Sequence, residues 1–305
     1  MALTISVITP SLNQGRFIDR TIRSVLSQNV EDLEYFVVDG GSRDETLEIL
    51  KRYTGRLKWI SEGDNGQADG VNKGIRATRG DIIGWLNSDD IYYPGALSFV
   101  LSFFEEHPEV DVVYGDADHI NIDDTLMEPY CTEDWDFERL KKICFLCQPA
   151  VFFRRRITET AGLLDARLQY CMDYEYWLRL GAITPFKRLN RNLAGSRMYE
   201  ENKTLGSRVP VHREINNMFR SRLGYVPLKW IYAYAHVVAD QKGYDRLDPA
   251  ENFRYVCLLV WTGLKSCFHW RRGLSVRSIK TMSGWIGGAL KNMGLLLIHR
   301  KEVKK

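Results

Sequence analysis

Short apolar segments alternate with stretches of helical periodicity over residues 1–115, and this alternation constrains the fold more than any other feature. Each apolar segment ends near Pro, Gly or Asp, as buried strands typically do. The predicted strands are 5–8, 33–38, 57–60, 81–86 and 110–114, and the predicted helices are 17–26, 42–50, 68–77 and 94–107. This order predicts an α/β fold with a mostly parallel sheet and helices on both faces.

Polar segments follow three of the predicted strands, at 9–11, 39–42 and 87–90. In parallel sheets, ligands bind beyond the carboxyl ends of the strands, so these segments predict a ligand site. We also expect Ser42 to be the N-cap of the second helix, with Glu45 as its capping-box partner.

The later sequence has a different character. Residues 116–204 are mixed, with a predicted strand at 148–153 and a helix at 173–180, and from about 205 the pattern is almost continuously helical. We therefore predict a domain over residues 1–204, with two parts meeting near 115, and a helical region over 205–305. Among the six cysteines, Cys144 and Cys147 form a lone CxxC, which indicates reduced thiols in a cytosolic protein.

Positive charge is concentrated at the carboxyl terminus. The net charge is +3, but residues 265–305 carry ten Lys and Arg against one acid, Glu302. Residues 274–298 combine apolar side chains with Arg277, Lys280 and Lys291, and these charges argue against a membrane span. A basic amphipathic helix suits an anionic membrane surface, and the alternative is a helix packed on protein. No secretory signal is visible, so we expect a cytoplasmic protein that contacts the inner face of a membrane through 274–305.

Two adjacent carboxylates, Asp89 and Asp90, follow the strand at 81–86. Such a pair is costly unless a positive charge lies near it. Carboxylate oxygens suit Mg²⁺ or Mn²⁺, which typically takes one or two protein carboxylates together with phosphate oxygens. The alternative is a solvated turn in which Asp90 caps the next helix, and the four residues 87–90 alone leave both interpretations open.

The segment at 38–44 is neither a GxGxxG fingerprint nor a P-loop. Its glycines permit close approach of the backbone, and Asp39, expected at an exposed strand end, could accept hydrogen bonds from a base or ribose. The alternative is a tight turn in which Asp44 favours the amino end of a helix.

Taken together, four ordered segments resemble family 2 glycosyltransferases: TPSLN at 9–13, VDGGSRDET at 38–46, GQADGVNKG at 66–74 and GDIIGWLNSDD at 80–90. The resemblance covers about residues 4–200. It implies a GT-A fold, a nucleoside-diphosphate sugar donor with uracil as the expected base, Mn²⁺ or Mg²⁺ as cofactor, and inverting transfer to an acceptor hydroxyl. It also assigns the nucleotide-sugar half to about 1–115 and the acceptor half to about 116–204.

The resemblance implies roles for individual residues. Thr9 and Pro10 match the loop that flanks the base, and Asp39 matches the acid that pairs with it. Asn72 and Gly74 match a loop that closes over the donor. The full set implied to bind the nucleotide sugar is Thr9, Pro10, Ser11, Asp39, Gly41, Ser42, Asp69, Asn72, Gly74, Asn87 and Ser88, and the implied metal ligands are Asp89 and Asp90.

The catalytic base is implied by the segment MDYEYWLR at 172–179, which is similar to the family's acidic pair and aromatic helix. Asp173 is the predicted base, with Glu175 as the structural alternative. Gln148, Glu175, Arg197 and Lys203 are candidate acceptor or diphosphate contacts, and the two cations could equally be ordinary surface charges. The chain departs from the family pattern at Val71, Asn87 and Met172, where an Arg and two acids are usual.

We expect the acceptor to be a glycan or glycolipid, such as a lipid-linked or cell-surface precursor, and we expect no nucleic-acid partner. Two other functions are compatible with the fold. A nucleotidyltransferase would be expected to carry a basic, Gly-rich loop after the first strand, which residues 9–14 lack. A nucleotide-sugar-binding scaffold without turnover would explain the three departures.

Overall fold

The computed structural model describes residues 3–302, and it describes side chains from 3 to 294. The chain divides into two units, Met1–Leu205 and Gly206–Lys305. The first unit contains a nine-stranded sheet with flanking helices, and the described part of the second consists of helices and their connections.

The elements follow the order that the sequence predicts, with additions after residue 90. The strands are β1 (Ile5–Ser11), β2 (Glu34–Asp39), β3 (Lys58–Ser61), β4 (Ile82–Trp85), β5 (Ile91–Tyr92), β6 (Val112–Ile120), β7 (Leu126–Pro129), β8 (Val151–Arg154) and β9 (Lys187–Arg197). The helices up to residue 206 are α1 (Gly15–Leu26), α2 (Thr46–Arg52), α3 (Gln67–Ala77), α4 (Ala96–Glu106), α5 (Phe137–Leu140), α6 (Ile157–Ala161), α7 (Met172–Gly181) and α8 (Lys203–Gly206).

The strands lie in the order β3-β2-β1-β4-β8-β6-β9-β5, with β7 beside β6. The first four strands are mutually parallel. Strand β8 is antiparallel to both β4 and β6, whereas β9 runs parallel to β6. Strands β1–β4, β6 and β9 therefore share one direction, which confirms the mostly parallel sheet. The reversed β8, inserted between β4 and β6, was not predicted.

Helices cover both faces of the sheet, as predicted. All seven residues of β1 are buried. Ile5 and Val7 belong to a core shared with α1, α2 and α4, whereas Ile8 packs beneath α3 at Gly74. Burial of each such aliphatic side chain contributes about 1.5–3 kcal/mol relative to exposure, so packing on both faces stabilises β1 within the sheet.

Three local predictions are wrong. Helix α2 begins at Thr46, so Ser42 is not its N-cap, and the Ser42 hydroxyl instead donates to the buried carboxylate of Asp39. The Ser42 oxygen, which in an N-cap would accept from the helix, accepts from the Asn13 backbone N–H at 2.7 Å. Helix α4 begins at Ala96 after Gly95 at φ 75°, and not at Pro94. Residues 148–150 form a single 3₁₀ turn before β8.

The second unit contains α9 (Arg208–Leu223), α10 (Leu228–Asp240), α11 (Pro249–Arg271) and α12 (Val276–Glu302). Met282 and Ala289 of α12 are buried against α10 and α11, with Trp285 packed beside them. The predicted amphipathic tail is therefore helical over its described part, and part of its apolar face packs on its own unit. None of the helices between residues 3 and 302 combines the length and the apolar character that crossing a bilayer requires.

Candidate active site

A cavity of about 410 Å³ lies where the carboxyl ends of β1, β4 and β9 meet. Its walls come from four chain segments, 10–14, 64–67, 87–90 and 196–204, together with Gln169. Of the predicted site residues, eight line it: Pro10, Ser11, Asn87, Ser88, Asp89, Asp90, Arg197 and Lys203. The sequence therefore located the edge of the sheet at which the cavity forms.

Asp89 and Asp90 occupy different environments in this wall. Asp89 is half-buried, and its Oδ2 accepts a hydrogen bond of 2.8 Å from the Tyr199 hydroxyl. Asp90 is buried, and its two oxygens accept from the Arg197 backbone N–H at 2.8 Å and from the Asn87 amide at 3.3 Å. Asp89 is thus the more accessible carboxylate, and Asp90 holds the loop together.

The alternative interpretation, a solvated turn in which Asp90 caps the next helix, is wrong. Helix α4 begins at Ala96, and Gly95 is at the N-cap position, so Asp90 lies too many residues before the helix to cap it. The Thr21 hydroxyl of α1 instead donates to the backbone carbonyls of Ser88 and Asp90, at 2.9 and 2.8 Å. The loop is therefore anchored to α1 and to the core.

Burial raises the pKa of the Asp89 carboxyl. Burial, together with the neighbouring charge of Asp89, raises the pKa of Asp90 to about 8. Adjacent acids that resist ionisation in this way are stabilised by a cation, because the cation offsets both the lost hydration and the mutual repulsion.

The donor atoms fit a hard divalent cation. Asp89 supplies a carboxylate at the cavity wall, and oxygen ligands are those that Mg²⁺ and Mn²⁺ prefer. Among the side chains that the structure describes, residues 3–294, no group of three His, Cys, Asp or Glu is arranged to hold a metal. A cation here would therefore depend on the oxygens of a bound phosphate and on water, as Mg²⁺ commonly does.

Asn87 stands where an acid is usual, and both its amide oxygen and its amide nitrogen form hydrogen bonds within the protein. Its Oδ1 accepts hydrogen bonds from Gln67 at 2.6 Å and from the Trp85 indole at 2.9 Å. Its Nδ2 donates to Asp90. Asn87 therefore connects Gln67 at the start of α3 to Trp85 at the end of β4. An ionised acid at this position could accept the same two hydrogen bonds, but it could not donate one to Asp90.

The two candidate cations differ. Arg197 is 1% exposed, and its guanidinium donates to the Asp124 carboxylate and to the backbone carbonyl of Asp89, so the surface interpretation is wrong for this residue. Lys203 is exposed at the cavity wall, where its Nζ donates to Gln67 Oε1 at 3.0 Å and to the Gln169 carbonyl at 3.2 Å. Lys203 is thus the cation better placed to meet a diphosphate.

Asp39 is fully buried, so the expectation that it lies at an exposed strand end is wrong. Its Oδ2 accepts from the backbone of Gly41 at 3.1 Å, the backbone of Ser42 at 2.9 Å and the Ser61 hydroxyl at 2.6 Å. Thr9 is also fully buried, with its hydroxyl 3.2 Å from the Tyr35 hydroxyl. Thr9, Asp39, Gly41 and Ser42 are outside the cavity lining.

Asp69, Asn72 and Gly74 lie in helix α3, not in a loop, and none of them lines the cavity. The Asn72 amide is buried and pairs with the backbone of Leu164, at 2.8 Å to its carbonyl and 3.0 Å from its N–H. A Cβ at Gly74 would overlap the side chain of Ile8. Asn72 and Gly74 therefore pack α3 against the rest of the unit, whereas Asp69 is half-buried and accepts from the Asn65 backbone N–H at 3.1 Å.

Asp173 lies in the first turn of α7 and is half-buried. It is outside the cavity lining, as are Gln148 and Glu175. Burial and the charges of Asp90 and Asp173 all raise the pKa of the Cys147 thiol.

Glu175 is buried and forms an ion pair within α7. It is 1% exposed, and its two oxygens each accept from the Arg179 guanidinium at 2.9 Å. Gln148 is buried as well, and its amide donates to the Trp85 carbonyl at 2.6 Å. Both residues therefore support the fold around the site.

Sequence reasoning missed several residues of the cavity, among them Asp64 and Tyr199. Asp64 accepts from the Gly66 backbone at 2.9 Å, and a Cβ on Gly40 would lie 2.9 Å from its Oδ2. Its position two residues before the GQADGVNKG segment was the available signal. Tyr199 lies in no recognised segment, so nothing in the sequence marked it.

Comparison with known proteins supports the geometric picture. The model of the family "Glycosyl transferase family 2" matches residues 6–162. A chondroitin synthase of Escherichia coli is 28% identical over 234 residues, which is 74% of this chain and 34% of that protein. A hyaluronan synthase of Pasteurella multocida is 28% identical over 72% of this chain and 23% of that protein. The match thus spans about a third or less of each synthase.

Two solved structures share the fold. Staphylococcus aureus TarS 1–349 in complex with UDP-GlcNAc has a TM-score of 0.59 at 15% identity, covering 87% of this chain and 81% of that one. The mannosyltransferase PcManGT of Pyrobaculum calidifontis, in complex with GDP-Man and Mn²⁺, has a TM-score of 0.58 at 14% identity, covering 95% and 81%. With the family match over residues 6–162, these findings show that the chain belongs to glycosyl transferase family 2 and has the GT-A fold.

Proposed function

We propose that this glycosyltransferase takes its sugar from a UDP-sugar, requires Mn²⁺ or Mg²⁺, and inverts the anomeric carbon during transfer to a hydroxyl of a glycan or glycolipid. The observation that carries the proposal is the half-buried Asp89 carboxylate in the wall of a cavity at the carboxyl ends of the strands. A volume of about 410 Å³ is within the range of small-molecule sites.

In the proposed reaction, the acceptor hydroxyl attacks the anomeric carbon and Asp173 takes its proton, which is general-base catalysis. The new bond joins the acceptor oxygen to the anomeric carbon, and the bond from that carbon to the diphosphate breaks. The nucleoside diphosphate leaves with the electron pair, and Lys203 is placed to meet its negative charge. A divalent cation bound at Asp89 would supply further stabilisation of that charge.

The named ligands of similar proteins support the donor and cofactor. One similar structure is a complex with UDP-GlcNAc, and another contains Mn²⁺. Two similar proteins are named for the polysaccharides chondroitin and hyaluronan, which supports a glycan acceptor.

Release of nucleoside diphosphate from a panel of UDP- and GDP-sugars, with glycan acceptors, tests the proposal. We expect release from a UDP-sugar that requires Mn²⁺ or Mg²⁺ and stops in EDTA. The product should have the opposite anomeric configuration to the donor. Release that is indifferent to EDTA, or that occurs only from GDP-sugars, would contradict the corresponding part.

We further propose that α12 brings the enzyme to an anionic membrane surface at the inner face. Val276 and Ile279 are 85% and 51% exposed, and Arg277 and Lys280 lie beside them. Exposed apolar side chains next to cations suit an anionic interface. Because α12 also packs on its own unit, Ile279→Asp is a cleaner test than deletion of 274–305. It should reduce sedimentation with anionic vesicles, whereas Leu126→Asp, at another exposed apolar residue, should not.

A further inference from the structure

A second cavity, of about 480 Å³, lies in the unit Gly206–Lys305, between α9, α10 and α11. We call it the aromatic groove, and it is defined by its lining residues. These are Arg213, Asn217, Tyr234, Leu258, Trp261, Thr262, Lys265, Ser266, His269 and Trp270. Neither the family match, which ends at residue 162, nor the proposed reaction uses it.

The floor of the aromatic groove is rigid. Trp270 is 6% exposed, and its indole N–H donates to Asn217 at 2.8 Å. Tyr234 meets the same ring edge to face, with centroids 5.0 Å apart. A buried indole with its polar atom bonded and its ring held by a second aromatic presents a fixed apolar surface.

The rim is aromatic as well. Trp261 is 57% exposed, although a large aromatic side chain in water is unfavourable. Lys265 places its ammonium 4.6 Å from the centre of this ring, one turn along α11. This cation–π contact orients the indole while leaving much of it open.

The polar part of the aromatic groove has one sign of charge. Arg213 and Lys265 are exposed lining residues, and the lining contains no Asp or Glu. Asn217, Thr262 and Ser266 add side chains that donate and accept hydrogen bonds. The groove therefore complements a ligand that has apolar ring faces, hydroxyl groups and negative charge.

We propose that the aromatic groove binds a segment of acidic glycan that carries carboxylate groups. The apolar C–H face of a sugar ring would lie on Trp261, and its carboxylates would meet Arg213 and Lys265. A glycan is favoured over other anions because the chain is a glycosyltransferase, whose donor and product both carry a sugar. A groove also fits a chain better than it fits a flat bilayer. The proposal is independent of the donor and metal assigned to the first unit.

Calorimetric titration of the full chain with a hyaluronan hexasaccharide tests the proposal, with chitohexaose as the neutral control. We expect the acidic oligosaccharide to bind and the neutral one to bind at least about tenfold more weakly, since charge pairing contributes to complementarity. Affinity for the acidic ligand should fall with added salt.

Two matched pairs of variants locate the binding. Trp261→Ala should weaken hexasaccharide affinity about tenfold, as loss of an aromatic anchor commonly does. Phe268→Ala removes an aromatic residue of α11 that is 61% exposed but outside the groove, and it should change affinity less than about twofold. Lys265→Gln should weaken binding, whereas Arg254→Gln, on the same helix outside the groove, should not. All four side chains are exposed, so unchanged melting temperatures are expected.

Three results would overturn the proposal. The first is absence of hexasaccharide binding at millimolar concentration, or binding that Trp261→Ala leaves intact. The second is preferential binding of anionic vesicles with equal losses for Trp261→Ala and Phe268→Ala, which would assign this face to a membrane. The third is equal or tighter binding of a single-stranded oligonucleotide.

Discussion

Two segments that identify the family behave differently in the structure. Residues 87–90 lie in the wall of the cavity and present Asp89 to it. Gly66 and Gln67 line the cavity, but the rest of the segment continues along α3, where most of its residues are buried. A family segment thus contains both residues that line the cavity and residues that pack in the core, and the structure separates the two groups.

The largest expected effect is that of Asp173, the proposed base, which lies outside the cavity lining. Asp173→Asn keeps the size of the side chain but cannot take a proton, so transfer should fall by about 10²–10⁴-fold. Donor affinity should stay nearly constant, because the base acts on the acceptor. Initial transfer rates, measured alongside donor binding, check both statements.

Glu175→Gln is the control for Asp173. It removes the charge that faces Arg179, and breaking a buried pair costs about 3 kcal/mol. We expect lower stability in urea denaturation but far less loss of transfer in the folded protein. Normal transfer by Asp173→Asn with an inactive, stable Glu175→Gln would show that the base has been assigned to the wrong residue.

For a buried residue of α3, we expect lower stability with unchanged nucleotide binding. Gly74→Ala forces a methyl group toward Ile8 and should destabilise the first unit by about 1–3 kcal/mol. UDP affinity should be almost unchanged at temperatures where the variant is folded. Arg76→Ala, at an exposed position of α3, is the control and should be near neutral. Weaker nucleotide binding at full stability would restore Gly74 to the donor site.

Asp39 belongs to a family segment, as Asp173 does, but it is buried in the fold, as Gly74 is, so we expect its replacement to affect stability first. Asp39→Ala removes the acceptor of the buried Ser42 N–H and of the partly buried Gly41 N–H, which costs about 1–3 kcal/mol. Chemical denaturation should detect this loss, and Ser61→Ala, which removes one donor only, should cost less. If Asp39→Ala is as stable as the wild type but binds UDP poorly, the residue contacts the base directly.

The sequence predicted the early strands well because short, mostly apolar runs that end at turn residues are typical of strands. It did not predict β9, Lys187–Arg197, in which polar residues interrupt the buried ones. Arg197 at the end of this strand donates a hydrogen bond to Asp124, and Tyr199, two residues later, lines the cavity. The place of β8 between β4 and β6 is set by long-range pairing, which local pattern does not encode.

In the candidate site as well, some features were predictable from the sequence and others were not. Asp89 was predictable, because a carboxylate that follows a buried strand of a parallel sheet lies at the ligand edge. The burial of Asp39 was not predictable, because it results from donors that the fold supplies from Ser42 and Ser61. Family resemblance identified the segments, and packing determined which of their atoms reach the cavity.

UDP binding with and without Mn²⁺, measured for the wild type, Asp89→Asn and Asn72→Ala, decides whether the cavity wall holds the metal. A metal–phosphate contact contributes several kcal/mol, so Mn²⁺ should strengthen UDP binding to the wild type by at least about tenfold. Asp89→Asn should lose this increment, and Asn72→Ala should retain it despite lower stability. Retention of the full Mn²⁺ increment by Asp89→Asn, or its loss in folded Asn72→Ala, would contradict the assignment of the metal to the cavity wall.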